Sequence, residues 1–107
     1  MRTVEFRRLL DYDNALRVTF ESERGQIVRF VVQLESQFME DGDWVPVVRY
    51  DTAHGYAHRD IMHPNEKEEK SRMSVQDYNE AFTIAMDDVV EKRYEYRRRY
   101  EEWLRQK

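Results

Sequence analysis

Cysteine is absent from this sequence, and its 107 residues include only three glycines and two prolines. Without cysteine there are no disulfides, no thiolate zinc sites and no cysteine nucleophile, and a reducing, cytoplasmic home is expected. No phosphate-cradling glycine loop, dinucleotide fingerprint or serine elbow occurs. No apolar run approaches the roughly 20 residues of a membrane span, and Met1-Arg2-Thr3-Val4-Glu5-Phe6-Arg7-Arg8 lacks the apolar core of a signal peptide. A chain that is neither secreted nor membrane-spanning follows as the expectation.

What is present is charge. Hydrophobic residues make up 40% and charged residues 37% of the chain, so a core can form but must be thin, under an ionised surface. The length suits one domain over 1–107, since independent cores usually take about 100 to 150 residues. A thin core leaves little room for a large cofactor, and none is expected. The formal net charge of -4 is unevenly distributed. Residues 91–107 hold seven basic and four acidic side chains, a local +3 that leaves -7 for the rest. This split favours a partner for the tail and argues against unaided affinity of the acidic remainder for RNA.

From Val4 to about Met62 apolar residues alternate: Val4 and Phe6; Leu16, Val18 and Phe20; Val28, Phe30, Val32 and Leu34; Trp44, Val48 and Tyr50. Period two predicts half-buried strands. The breaks Tyr12-Asp13-Asn14, Glu23-Arg24-Gly25 and Glu40-Asp41-Gly42 each end in a residue that tolerates positive φ, as three-residue hairpin loops require. Such loops set Leu10 opposite Leu16, Phe6 opposite Phe20, Phe20 opposite Val28, Val18 opposite Phe30, Phe38 opposite Trp44, Leu34 opposite Val48 and Val32 opposite Tyr50. One apolar face results. The expectation is an α+β fold: an antiparallel four- to five-stranded meander over 1–63, with Tyr56 to His63 as the fifth strand, packed by one long C-terminal helix.

Residues 64–73 read as a polar connector in which a short edge strand would fit. Ser74 then resembles a helix cap with Asp77 three residues on, and Val75, Tyr78, Phe82, Ala85 and Val89 recur at helical spacing. A helix over 74–107 would run roughly 50 Å at about 1.5 Å per residue. A sheet of this size is only about 25 Å wide at about 4.8 Å per strand, so the charged end should overhang. Tyr96, Tyr100, Trp103 and Leu104 keep helical spacing there among arginines, which suits either a dimer or partner seam or a solvated helix with side chains paired along its own surface.

All three histidines, His54, His58 and His63, lie within ten residues of one another. Histidine exchanges protons near neutrality, a carboxylate can orient it, and arginine can hold an anion, so these types together suit phosphodiester chemistry. The turn at His54-Gly55 decides which side chains meet. A two-residue loop pairs Asp51 with His58 and Arg49 with Asp60, satisfying every charge on an outer face. A three-residue loop pairs Tyr50 with His58 and Arg49 with Arg59, turning His58 and Asp60 toward the helix. Paired charges on an exposed sheet face are also commonplace without function. His54, His58, Asp60 and His63 offer ligand types for a divalent ion, but His58 and His63 differ in strand parity and no H-E-x-x-H spacing exists, so no metal is assigned.

The run Arg49-Tyr50-Asp51-Thr52-Ala53-His54-Gly55-Tyr56-Ala57-His58-Arg59-Asp60 resembles a family of small uncharacterised prokaryotic domains with an R-Y-D-x-x-H-G-x-x-H-R-D core. More distantly, Tyr50-Asp51, Gly55 and His58 are similar to the core of TumE-like toxins of toxin-antitoxin systems, also compact sheets with a C-terminal helix. That likeness implies an RNA-directed role with Tyr50, Asp51, His58 and Asp60 at the site. His58 falls one residue early against that pattern, and Asp60 replaces its second histidine.

Two readings follow. In a toxin-like, nucleic-acid-processing domain of a prokaryotic two-gene module, His58 would be the general acid or base and Asp51 would orient it. Arg49 and Arg59 would hold phosphate, and His54 or Tyr50 would serve the leaving group. In a non-catalytic interaction module, the C-terminal helix would join a second copy or a partner protein, and the histidine hairpin would be structural.

Overall fold

The alternating apolar residues build one antiparallel sheet in the computed structural model, which describes residues 1–106. Six strands follow one another as neighbours: β1 (Arg2–Asp11), β2 (Asn14–Glu23), β3 (Gln26–Gln37), β4 (Trp44–Asp51), β5 (His58–Ile61) and β6 (Glu69–Arg72). Helices α1 (Tyr78–Glu91) and α2 (Arg93–Arg105) complete the chain. The α+β meander is as expected, but it has six strands, because the polar connector supplies β6 against β5. All residues of that strand are exposed, so it is held by backbone pairing with β5 and by contacts that Lys70 and Arg72 make at their side-chain ends.

The β1–β2 and β2–β3 registers differ from expectation by two residues, while β3–β4 keeps the expected register as far as Leu34. Leu34 faces Val48 and Val32 faces Tyr50, as the loops required. Phe6, however, faces Val18 and Phe20 faces Phe30, two residues away from the expected partners. A slip of two leaves every side chain on its original face. Its cause lies in the turns. Glu23 and Gln26 close a two-residue loop in which Arg24 and Gly25 have φ of 52° and 78°. Positive φ at both central residues is what a type I′ hairpin demands. An irregularity in the ladder next to each of the first two turns absorbs the remaining residue. A third, between β3 and β4, moves Trp44 from Phe38 to Gln37.

One face of the sheet holds Leu16, Val18, Phe30, Val32, Leu34, Val48 and Tyr50, which pack with Ala81, Ala85, Val89 and Tyr96 of the helices. Small residues at 81 and 85 let α1 sit close to the strands, while Phe82 sets its ring edge-on to Phe20 at 5.1 Å and Phe30 at 5.7 Å. The cap of α1 is Asp77, not Ser74: its carboxylate accepts from the Glu80 amide at 2.8 Å, so the helix starts four residues later than expected. Among the described residues no helix is long and apolar enough to cross a membrane.

The expected single helix over 74–107 is two, divided at Lys92. No glycine or proline stands there. Arg93 instead folds its guanidinium back onto the Val90 carbonyl, the acceptor that the Tyr94 amide would use in an unbroken helix. The same side chain also reaches Asp11 at 2.8 Å. Side chains of α2 nevertheless keep contact with the rest of the chain as far as Trp103, so the expected overhang is partly taken up. Tyr96 is buried, Tyr100 stacks on Phe38 at 5.3 Å, and Trp103 stacks on His63 at 3.9 Å. Both helices reach the sheet through the Phe30 and Tyr50 side, and among the described residues no helix packs on the opposite face.

Candidate functional site

The β4–β5 ladder sets Asp51 opposite His58 and Arg49 opposite Asp60, the pairing that a two-residue loop predicts. The turn itself is wider. The Gly55 amide donates to the Thr52 carbonyl at 3.1 Å, with Gly55 at φ 84°, where glycine is favoured. The Asp51 carboxylate accepts from the Ala53 amide at 3.0 Å, and the Thr52 hydroxyl accepts from the Phe30 amide at 3.1 Å. Asp51 is thereby oriented by the turn before it meets any other group.

His58 is only 1% exposed. Its Nε2 lies 2.9 Å from Asp51 Oδ1 and 3.6 Å from Asp60 Oδ2, and its Nδ1 lies 3.2 Å from the Tyr56 carbonyl. Lys70 donates to the other Asp60 oxygen at 2.9 Å. The exposed His54 ring sits 5.3 Å from that of His58, and Arg72 lies 4.8 Å over Tyr56. Burying two carboxylates is costly unless opposite charge accompanies them, and His58 and Lys70 are placed to supply it.

This cluster ends a longer polar row. Strand registers align Arg7, Arg17, Gln33, Arg49, Asp60 and Lys70 side by side across the helix-free face. Glu35 gathers Arg17 Nε at 2.9 Å, Arg7 Nε at 3.4 Å and the Gln33 amide at 2.9 Å, and Arg49 Nε donates to Gln33 Oε1 at 2.7 Å. Burial alone would raise the Glu35 carboxyl, but hydrogen bonds from Arg17, Gln33 and Arg7 outweigh it and hold it below its ordinary value. Each arginine is anchored through Nε, and none of their terminal Nη groups hydrogen-bonds a described residue. Arg7 also lies 4.7 Å over the Trp44 ring.

Tyr50 and Arg59 belong elsewhere. They alternate with Asp51 and His58 along their strands and therefore project to the helix side. There the Tyr50 hydroxyl donates to Asp88 at 2.6 Å, Tyr96 donates to the same carboxylate, and Arg59 donates to the Tyr96 hydroxyl at 3.3 Å. Burial, followed by the bond to Asp88, pushes the Tyr50 phenol far above its ordinary value, and the same two causes raise Tyr96. A proton held this firmly is a poor donor to a leaving group. The expected phosphate clamp of Arg49 with Arg59 is likewise divided between the two faces. His54, His58, Asp51, Asp60 and Arg49 share the open one.

Of the residues expected at a helix seam, Tyr96, Tyr100 and Trp103 pack within the chain, and Leu104 remains 37% exposed. His63 stacks on Trp103 and has its Nε2 3.0 Å from Glu66, so it takes no part in the His58 cluster. Asp88, the hub of the helix-side network, carries no sequence signal beyond helical position. The row through Arg7, Arg17, Gln33 and Glu35 does: these residues fill the polar alternate positions of β1 to β3.

Fold and site together define a class: a small α+β domain with a six-stranded antiparallel meander, both helices on one side, and a polar, arginine-lined face on the other. The family described as "Domain of unknown function (DUF7718)" matches residues 1–106, and the chain belongs to it. Searches of curated proteins and of solved structures found no match.

Proposed function

We propose that this chain is a nucleic-acid-processing module of the binding kind, which takes single-stranded RNA across the helix-free sheet face. The observation that carries the reading is the row Arg7, Arg17, Arg49 and Lys70, three of whose members are guanidinium groups held at Nε with their outer nitrogens unengaged. Anchored guanidinium groups lose little freedom on meeting a phosphate, and that geometry favours arginine over lysine. Arg7 and Arg72, each lying over an aromatic ring (Trp44 and Tyr56), present guanidinium planes on which bases can stack at the two ends of the face. The likeness of Tyr50-Asp51, Gly55 and His58 to TumE-like toxins points the same way and supports a place in a prokaryotic two-gene module.

Binding is favoured over cleavage because the acid-base apparatus is divided. His58 is buried, while Tyr50 and Arg59 face the helices. A helix-mediated interaction module has less to work with, since three of its four anchoring side chains pack on the chain's own sheet.

Fluorescence anisotropy with a labelled single-stranded RNA tests the reading. The intact chain should bind in the micromolar range at low salt. Arg17→Glu with Arg49→Glu should weaken binding at least about tenfold, whereas Arg98→Glu with Arg99→Glu on α2 should change it by less than about threefold. No binding, or an equal loss from the α2 pair, would overturn the proposal.

A further inference from the structure

His58 faces an inconsistency that hydrogen bonds alone leave open. The Tyr56 carbonyl beside Nδ1 can only accept, so Nδ1 carries the ring proton, and Nε2 of a neutral ring presents a lone pair. That lone pair is directed at carboxylate oxygens of Asp51 at 2.9 Å and Asp60 at 3.6 Å. With the ring neutral, three acceptors converge in a site where His58 is 1%, Asp60 5% and Asp51 7% exposed. Either a second proton on His58 or a bound cation must then stand between them. Lys70 does not fill that place, because it engages the outer oxygen of Asp60.

We infer that Asp51, His58 and Asp60 form a divalent-cation site. The donor atoms all lie within 4.8 Å of one another. Metal–ligand bonds of about 2.0–2.2 Å put adjacent donors about 3–3.5 Å apart, close to the two separations measured at Nε2. The second layer is built as well. A ligating histidine usually donates its other ring nitrogen to a carbonyl or carboxylate, which fixes the ring and its tautomer, and the Tyr56 carbonyl is in that position. The Ala53 amide orients Asp51, and Lys70 orients Asp60. Of this ligand set the imidazole suits a borderline ion such as zinc and the two carboxylates a harder one such as manganese.

The ligand set differs from the one the histidine spacing suggests. His63 is on the helix side against Trp103, and Asp51 completes the set in its stead. The competing occupant of the site is a second ring proton on His58, and metal titration separates the two. The inference does not depend on RNA, and its test contains none.

The 107-residue chain, stripped with EDTA and dialysed, should be titrated by calorimetry with zinc sulfate and, separately, with manganese chloride. Saturable uptake of about one ion per chain is expected, and zinc should shift the Nε2 nitrogen resonance of His58. Asp51→Asn and Asp60→Asn preserve side-chain volume, and each should weaken uptake at least about tenfold with an unchanged circular dichroism spectrum. His54→Ala should bind as the parent does. Absence of saturable binding by both ions, or binding undiminished in both asparagine variants, would overturn the site.

Discussion

At Glu35 the penalty of burying a carboxylate is offset by Arg17, Gln33 and Arg7, and its titration should be visible in the stability of the whole chain. The sign follows from the depressed value. A carboxyl held below its ordinary value of 4.5 when folded adds stability above that value and loses it as pH falls through it toward the folded value. Glu35→Gln keeps the shape, accepts with one oxygen and cannot ionise. We expect it to lower stability at pH 7 by about 1–2 kcal/mol, discounted for the exposure of both arginines. Urea melts at successive pH values below 7 check this, since the gap between parent and variant should narrow as pH falls below 4.5. A gap that did not narrow at any acid pH would mean that the glutamine damages packing, not charge.

Among elements, α2 is the one whose role differs most between the sequence and the folded chain. Its aromatic spacing was legible, and so was its proximity to something apolar. That the something is Phe38 and His63 of the same chain was not, because the turn at Lys92 comes from the Arg93 side chain meeting the Val90 carbonyl and Asp11. No propensity rule registers a contact of that range. The hairpins behave differently: alternation assigns each side chain its face, whereas the choice between a three-residue loop and a two-residue turn with a bulge moves partners by two and leaves the pattern intact. The Asp51–His58 pair was readable as one of two registers, and charge satisfaction pointed to the right one. If Trp103 is an internal anchor, Trp103→Ala should destabilise the chain by roughly 2 kcal/mol, about half of a fully buried loss. Size-exclusion should meanwhile show no change in oligomeric state. A shift in elution volume with no loss of stability would return α2 to an intermolecular role.

For the molecule as a whole, the uneven charge along the chain is partly resolved by folding. The basic tail closes on the acidic β1–β2 turn through Arg93 with Asp11 at 2.8 Å and Arg97 with Asp13 at 3.1 Å. Burial alone would raise the Asp11 carboxyl, but Arg93 and Asn14 outweigh it and hold it below its ordinary value. Two of the basic residues that read as a surface awaiting a partner, Arg93 and Arg97, thus form an internal clasp. The phosphate-directed cations stand instead on the open sheet face, interleaved with Glu35, Asp51 and Asp60. This distinction can be read from salt. Single strands release counterions with a slope of about -0.7 per phosphate contact, so about four contacts by Arg7, Arg17, Arg49 and Lys70 would weaken RNA binding roughly 50-fold between 50 and 200 mM salt. Removing Arg49 should lower that slope by about 0.7, whereas Arg97→Ala, which opens the clasp, should lower thermal stability and leave the slope unchanged. A slope indifferent to Arg49 but sensitive to the tail would move the RNA surface from the sheet to α2.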